Sequence, residues 1–178
     1  AYERFGRIDI LVNNAALHTA IERKPWDQVT VSEWDRVMAV NLRGPWLCSK
    51  AVFPYMKKHG KGKIINISSS TIFTGARVGG LIHYATSKGG VMAFTRALAR
   101  EVGEYNINVN TITPGFTISE NVEKIYPSEV RALLTRTRCL KREEVPEDLT
   151  GTVVFLASDD SDFITGQIIN VDGGDVFH

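Results

Sequence analysis

Apolar positions along this chain alternate between short unbroken runs and longer, interrupted stretches. Ile8-Asp9-Ile10-Leu11-Val12 reads as a strand closed by Asn13-Asn14. Thr30 and Glu33, spaced T-x-x-E, form a capping-box signature. In that box the hydroxyl and the carboxylate each accept an otherwise unpaired N–H of a helix's first turn. The pattern predicts a helix from there through Trp34, Val37 and Met38 to Met56, a turn, and a second strand at Lys63-Ile64-Ile65-Asn66-Ile67-Ser68. A long helix follows from about Tyr84 to Val102, with Gly103 as its terminator. The third strand runs from Ile107 to Ile112, where Ile107, Val109 and Thr111 alternate with asparagines. Beyond Pro114-Gly115 the chain is irregular and partly helical to about Arg142. Pro146 fits the first turn of a helix ending near Ala157, and Gln167 to Val171 is the last strand. Ala1 to Gly6 resembles the tail of a helix. Strands alternating with helices predict an α/β fold around a parallel sheet.

Composition narrows the function. A chain of 178 residues can bury one sizeable core, and one domain is expected over 1–178. Lys and Arg number 21 against 20 Asp and Glu, a net charge of +1, which argues against a nucleic-acid partner. The longest apolar run is Val153 to Ala157, far short of the about 20 residues of a membrane helix, so no membrane partner is expected. Cys48 and Cys139 form neither a disulfide framework nor a C-x-x-C pair, which fits a reduced, cytoplasmic setting. No H-E-x-x-H or Cys/His cluster points to a metal.

The candidate chemistry centres on Tyr84 and Lys88. Four residues apart on a helix, their Cβ atoms lie about 5–6 Å apart on one face. A neighbouring cation favours a phenolate and lowers its pKa from about 10 by about 1–3 units, towards the range that acid–base catalysis uses. Taken alone, Y-x-x-x-K is also what an ordinary amphipathic helix shows. Upstream, Ser68-Ser69-Ser70 end the second strand. Ligands of open α/β sheets gather at the carboxyl ends of the strands, although serines there also serve turns. Asn41 sits in mid-helix, and Pro45 four residues later has no N–H to give its carbonyl. A kink is expected there, with a free acceptor for water.

Asn13-Asn14-Ala15-Ala16, Asn41, Ile67-Ser68-Ser69, Tyr84-x-x-x-Lys88, Pro114-Gly115 and the tail Val171-Asp172-Gly173-Gly174 stand in the order seen in short-chain dehydrogenases/reductases. The chain resembles that family over nearly its whole length. The resemblance implies a Rossmann-like, doubly wound parallel sheet and an oxidoreductase that moves a hydride between NAD or NADP and an alcohol, ketone or aldehyde. It makes Tyr84 the acid/base, Lys88 the residue that holds the nicotinamide ribose and lowers the Tyr84 pKa, and Ser69 the one that orients the substrate oxygen, with Ser68 and Ser70 as alternatives. Asn41 completes a tetrad through a backbone-bound water. Cofactor contacts are implied at Asn14, Ala15, Ala16, Tyr84, Lys88, Pro114, Gly115, Thr117 and Ser119. Ala16 stands where the family usually has glycine. The interval from Ser69 to Tyr84 exceeds the usual one, which places an insertion within 74–80 that reshapes the substrate mouth.

Further expectations follow from the same resemblance. The segment from Phe116 to Glu144 is a lid; its Arg136, Arg138 and Arg142 are either solvated or turned to an anionic substrate. His83 is a candidate for the pocket wall. The stretch 89–121 and the tail Val176-Phe177-His178 look like members that oxidise aromatic or pyridoxal-type alcohols with NAD. Pairing through helices near 46–57 and 84–102 implies a homodimer or homotetramer. No Gly-rich phosphate loop is found: Gly60-Lys61-Gly62 follows a helix and precedes a strand, the wrong order. The expectation is therefore a partial domain, with roughly 70 residues and the N-terminal strands of a whole member absent from this sequence. The alternatives are a non-catalytic binding or assembly module and a related epimerase or dehydratase.

Overall fold

The computed structural model describes residues 1–77 and 79–177; Val78, inside the expected insertion, and His178, at the end of the tail, lie outside them. Four strands make one parallel sheet in chain order: β1 (Ile10–Asn13), β2 (Gly62–Ile67), β3 (Ile107–Pro114) and β4 (Ile168–Val171). The helices are α1 (Tyr2–Phe5), α2 (Val31–Met38), α3 (Gly44–His59), α4 (Thr71–Thr74), α5 (Ile82–Val102), α6 (Glu120–Ile125), α7 (Ser128–Thr135) and α8 (Glu147–Ala157). Among the described residues, no helix is long and apolar enough to cross a membrane.

Both faces of the sheet are covered, the arrangement that the Rossmann-like expectation requires. Side chains on a strand alternate between faces. Ile64, Ile107 and Val109 pack with Met56 of α3 and Ala99 and Val102 of α5. Ile65 and Ile112 pack on the opposite face with Leu156 of α8. All eight residues of β3 are buried, its polar ones included. The asparagines of β3 face protein rather than water. Asn110 donates to the Ile164 carbonyl and accepts the Gln167 N–H, which fastens the approach to β4. A polar ladder also crosses the sheet: Asn13 donates to Asn66 at 2.8 Å, and Asn66 donates to Thr95 of α5 at 2.8 Å.

Local signals hold at several ends. The capping box of α2 is complete: the Glu33 N–H donates to Thr30 Oγ1 at 3.2 Å, and the Thr30 N–H donates to Glu33 Oε2 at 2.9 Å. Gly60 closes α3 with φ +73°, as the expected turn needs. Two expectations change. The kink at Asn41 is instead a π-helical turn over Ala39–Arg43, with the Gly44 N–H donating to the Ala39 carbonyl. The widened turn takes in one extra residue and leaves Pro45 in the first turn of α3, where no N–H is needed. Gly103 does not end the long helix in a left-handed conformation; its φ is −60°. The chain tightens through a 3-10 turn over Gly103–Tyr105, and Asn106 takes the left-handed position with φ +55°. Asn tolerates that region better than most residues.

Candidate active site

The carboxyl ends of the strands carry the site. Main-chain bonds continue past β2, from the Ser68 N–H to the Ile112 carbonyl and from the Ser70 N–H to the Pro114 carbonyl. They hold the three serines against the end of β3. Beside them opens a cleft of about 370 Å³. Leu81, just before α5, and Tyr84 and Lys88 on it all face the cleft, the i, i+3, i+7 spacing of one helix side.

The serines divide their work. Ser68 is buried and donates to the Lys88 carbonyl at 2.7 Å, which fixes β2 to α5. Ser69 donates to Thr71 Oγ1 at 2.9 Å, and its hydroxyl is close enough to the Tyr84 phenol to hold the phenol's pKa down. Of the three, Ser69 is the serine whose hydroxyl acts on the Tyr84 phenol.

Tyr84 is buried, and burial pushes its phenol above the ordinary tyrosine value; the Ser69 hydroxyl pulls the other way. The expected depression by Lys88 is absent. The Lys88 Nζ donates to the Ile67 carbonyl at 2.7 Å and lies 5.8 Å from the Tyr84 ring centre. Burial also lowers the Lys88 pKa, to about 8. A buried ammonium turns to the nearest carbonyl, and desolvation of the phenol then outweighs a cation above its ring.

Asn41 lies behind the cleft and does not line it. Its side chain accepts the Leu17 N–H at 2.7 Å and donates to the Leu17 carbonyl at 3.1 Å and to Ser87 Oγ at 3.2 Å. Ser87 donates in turn to the Tyr84 carbonyl. Asn41 thus braces the loop after β1 against the turn that bears Tyr84.

Among the expected cofactor contacts, Asn14, Ala16, Pro114, Gly115, Thr117 and Ser119 line the cleft with Tyr84 and Lys88; Ala15, between two lining residues, does not. The wall at Gly115 is dense: a Cβ there would come within 2.5 Å of Glu144 Oε2 and 3.0 Å of Asp172 Cα. Thr117 Oγ1 donates to Glu144 Oε1 at 2.5 Å, and the Ile118 N–H donates to the Glu144 carbonyl at 2.7 Å. Ser119 caps α6 by accepting the Val122 N–H, which leaves its own O–H proton free to donate.

The three arginines of the expected lid, Arg136, Arg138 and Arg142, do not line the cleft. Arg142 pairs with Asp148 at 2.6 Å, and Arg136 is exposed. Arg138, expected at the surface or on a substrate, is 3% exposed; it donates to the Phe116 carbonyl at 2.7 Å and lies 3.5 Å from Glu144 Oε2. His83 is buried away from the cleft, within the electrostatic reach of Glu33 and Lys24. The histidine that does line it is His18, whose ring centre is 4.9 Å from that of Tyr84. Burial, then the charges of Arg23 and Lys88, push the His18 pKa down. Sequence reasoning missed His18 and Arg23. Their signal was position: both follow the carboxyl end of β1.

A family model described as enoyl-(acyl carrier protein) reductase matches residues 1–175. The chain is 40% identical over 172 residues to the (2S)-[(R)-hydroxy(phenyl)methyl]succinyl-CoA dehydrogenase subunit BbsD of Thauera aromatica, covering 97% of this chain and 66% of that protein. It is 41% identical over 177 residues to the 2-dehydro-3-deoxy-D-gluconate 5-dehydrogenase of Escherichia coli, covering 98% and 68%. It is 38% identical over 173 residues to the 3-oxoacyl-[acyl-carrier-protein] reductase FabG of Thermotoga maritima, covering 97% and 68%. The chain spans about two thirds of the length of these relatives.

Proposed function

This chain belongs to the short-chain dehydrogenase/reductase family, and from that premise we propose that it carries the proton-transfer site of an NAD(P)-dependent oxidoreductase acting on an alcohol/carbonyl pair. The observation that carries the reading is convergence: Tyr84, Ser69 and Lys88 reach one cleft at the carboxyl ends of parallel strands. That convergence favours an enzyme over a binding module that merely keeps the fold.

The donor set fits the nicotinamide end of a dinucleotide. Lys88 is a buried cation suited to ribose hydroxyls, and the main chain at Thr117 and the Ser119 hydroxyl suit a carboxamide. Asn14, Ala16, Pro114 and Gly115 supply the walls. When bound, such a cofactor supplies or accepts the hydride. The protein's part is the proton. Burial keeps the Tyr84 phenol protonated near neutrality, the form that donates to a carbonyl oxygen; alcohol oxidation needs the phenolate and gains from alkaline pH. Ser69 orients the reacting oxygen, and Asn41 holds the turn beneath Tyr84 while its main chain offers a water site. NAD is the cofactor favoured by the resemblance of 89–121 to NAD-using members. The relatives' names differ in substrate, so the shared ground is the alcohol/carbonyl pair itself. Free, exposed Cys48 and Cys139 suit a reducing, cytoplasmic setting. Exposed Trp46 and Leu47 on α3 support self-association into a homodimer or homotetramer.

The test is a panel of alcohols, ketones and aldehydes with NAD and NADP, followed at the nicotinamide absorbance, in the whole protein that carries this chain. Tyr84→Phe keeps the ring and removes the transferable proton, so kcat should fall by about 10²–10⁴. Normal turnover in that variant would refute the assignment.

A further inference from the structure

Charge in the cleft is unevenly matched. Among the described residues three cations line it, Arg23, Arg77 and Lys88, against one carboxylate, Asp175. Asp175 is already engaged, 3.2 Å from Arg77. Lys88 is turned to the Ile67 carbonyl. Glu22 and Glu33 on either side of Arg23 both pair with Lys24, and Asp27, between them, forms no ion pair with Arg23. Among the described residues, no carboxylate forms an ion pair with Arg23.

Arg23 is nevertheless held in place. Its Nη1 donates to the Gly79 carbonyl at 3.2 Å, and its Nη2 donates to the Tyr126 hydroxyl at 2.8 Å. The guanidinium also lies 5.8 Å from the Tyr126 ring centre. Gly80, with φ +70°, presses on the same stretch: a Cβ there would come within 3.0 Å of Arg23 Cβ and 3.1 Å of the Lys24 nitrogen. Three segments therefore fix one cation at the cleft: the loop before α2, the loop before α5 and the end of α6. Gly79 and Gly80 belong to the stretch 74–80 in which the resemblance expects an insertion. Arg23 is exposed, but the bonds to Gly79 and Tyr126 give its guanidinium a fixed direction, and it keeps unused N–H donors and a full charge. It is also close to the chemistry, because its charge reaches His18, whose ring packs on Tyr84.

We propose that Arg23 anchors a carboxylate carried by the substrate, so that the compound turned over at Tyr84 is a hydroxy acid or the corresponding oxo acid. The proposal deepens the oxidoreductase reading and rests on it. A planar carboxylate matches a single guanidinium fork. A phosphate dianion calls for further free cations, and Arg77 and Lys88 are engaged elsewhere.

The experiment compares each of a set of hydroxy acids with its methyl ester, which differs in charge and little else, and with a phosphate ester of similar length. In the whole protein, kcat/KM should favour acid over methyl ester, and Arg23→Gln should reduce that ratio about ten- to hundredfold, the range of a charge-assisted hydrogen bond. Arg23→Lys should fall between. An unchanged acid-to-ester ratio, or a phosphate ester preferred to the acid, overturns the proposal. Calorimetric titration of the same acids into wild type and Arg23→Gln separates this question from the activity. A tenfold or greater loss of affinity in the variant upholds the anchor even if no compound in the set is oxidised. Equal affinity in the two proteins, or no binding to the wild type, overturns it.

Discussion

Replacing Arg138 by Met isolates a buried charge. Arg138 and Glu144 are 3% and 5% exposed, and their closest approach is 3.5 Å. Glu144 Oε1 accepts from Thr117, while Oε2 has no hydrogen-bond donor among the described residues and lies 3.5 Å from Arg138. Burial raises the Glu144 pKa above its ordinary value; the Thr117 hydroxyl and the Arg138 charge restrain the rise. Methionine fills most of the arginine's volume and removes that restraint, together with the bond to the Phe116 carbonyl. Breaking a buried pair from one side typically costs about 3–5 kcal/mol, because the remaining charge is left uncompensated. Urea unfolding at pH 7 should show an unfolding free energy lower by that amount, read as a lower midpoint with an unchanged slope. The pH dependence follows from the sign of the shift. A carboxyl whose folded-state pKa is raised keeps its proton in the folded chain after the unfolded chain has lost it, so stability falls as pH rises from about 4.5 through the raised folded value. Arg138→Met raises that value further, so the variant's deficit should be smaller at pH 5 than at pH 7. Adding Glu144→Leu removes the orphaned carboxylate and should recover much of the loss. A deficit below about 1 kcal/mol at pH 7, or one equal at both pH values, would sink the reasoning.

The remaining outcomes are simpler. The Lys88 pKa is about 8 in the folded chain against an ordinary 10.5, so the folded state binds fewer protons between those values. Stability should rise as pH climbs from about 8 to 10.5, and Lys88→Met should flatten that rise in the same urea assay; parallel curves would contradict the burial argument. For Tyr84, the rate of alcohol oxidation should increase with pH and that of carbonyl reduction should not; the reverse order would remove the phenol from the proton path. Self-association through α3 should be lost on Trp46→Glu together with Leu47→Glu, read by sedimentation. An assembly unchanged by that pair of substitutions would place the interface elsewhere.

Much of the fold is legible in the sequence because its signals are local. Four apolar runs become the four strands within one or two residues at most ends, and Thr30 with Glu33 fixes the start of α2 by itself. The misreadings occur where the backbone has two ways to meet one constraint. Pro45 obliges the helix to do without one N–H, and either a kink or a π turn satisfies that. The side-chain bonds of Asn41 to Leu17 and Ser87, both remote in sequence, accompany the π turn that formed. Gly103 and Asn106 are both acceptable helix terminators, and a 3-10 turn moves the left-handed residue three places along.

The site divides along the same line. Tyr84 and Lys88 were legible because i and i+4 on a helix share a face whatever the rest of the chain does. His83 failed by the same geometry: successive helix residues point about 100° apart, so the neighbour of a cleft-facing tyrosine turns away from the cleft. That much could have been excluded from the sequence alone. Arg138 could not, because its burial depends on Glu144 and the Phe116 carbonyl arriving from other segments. A composition-level expectation that lid arginines meet water has no access to such a partnership. Arg23 shows the converse. It is an arginine in a polar loop with nothing local to distinguish it, and its significance comes from Asp175 being engaged by Arg77 and from Gly79 and Tyr126 holding its fork. Helix periodicity can place an acid/base pair, but the charge left over in a cleft is known only once every other charge has found its partner.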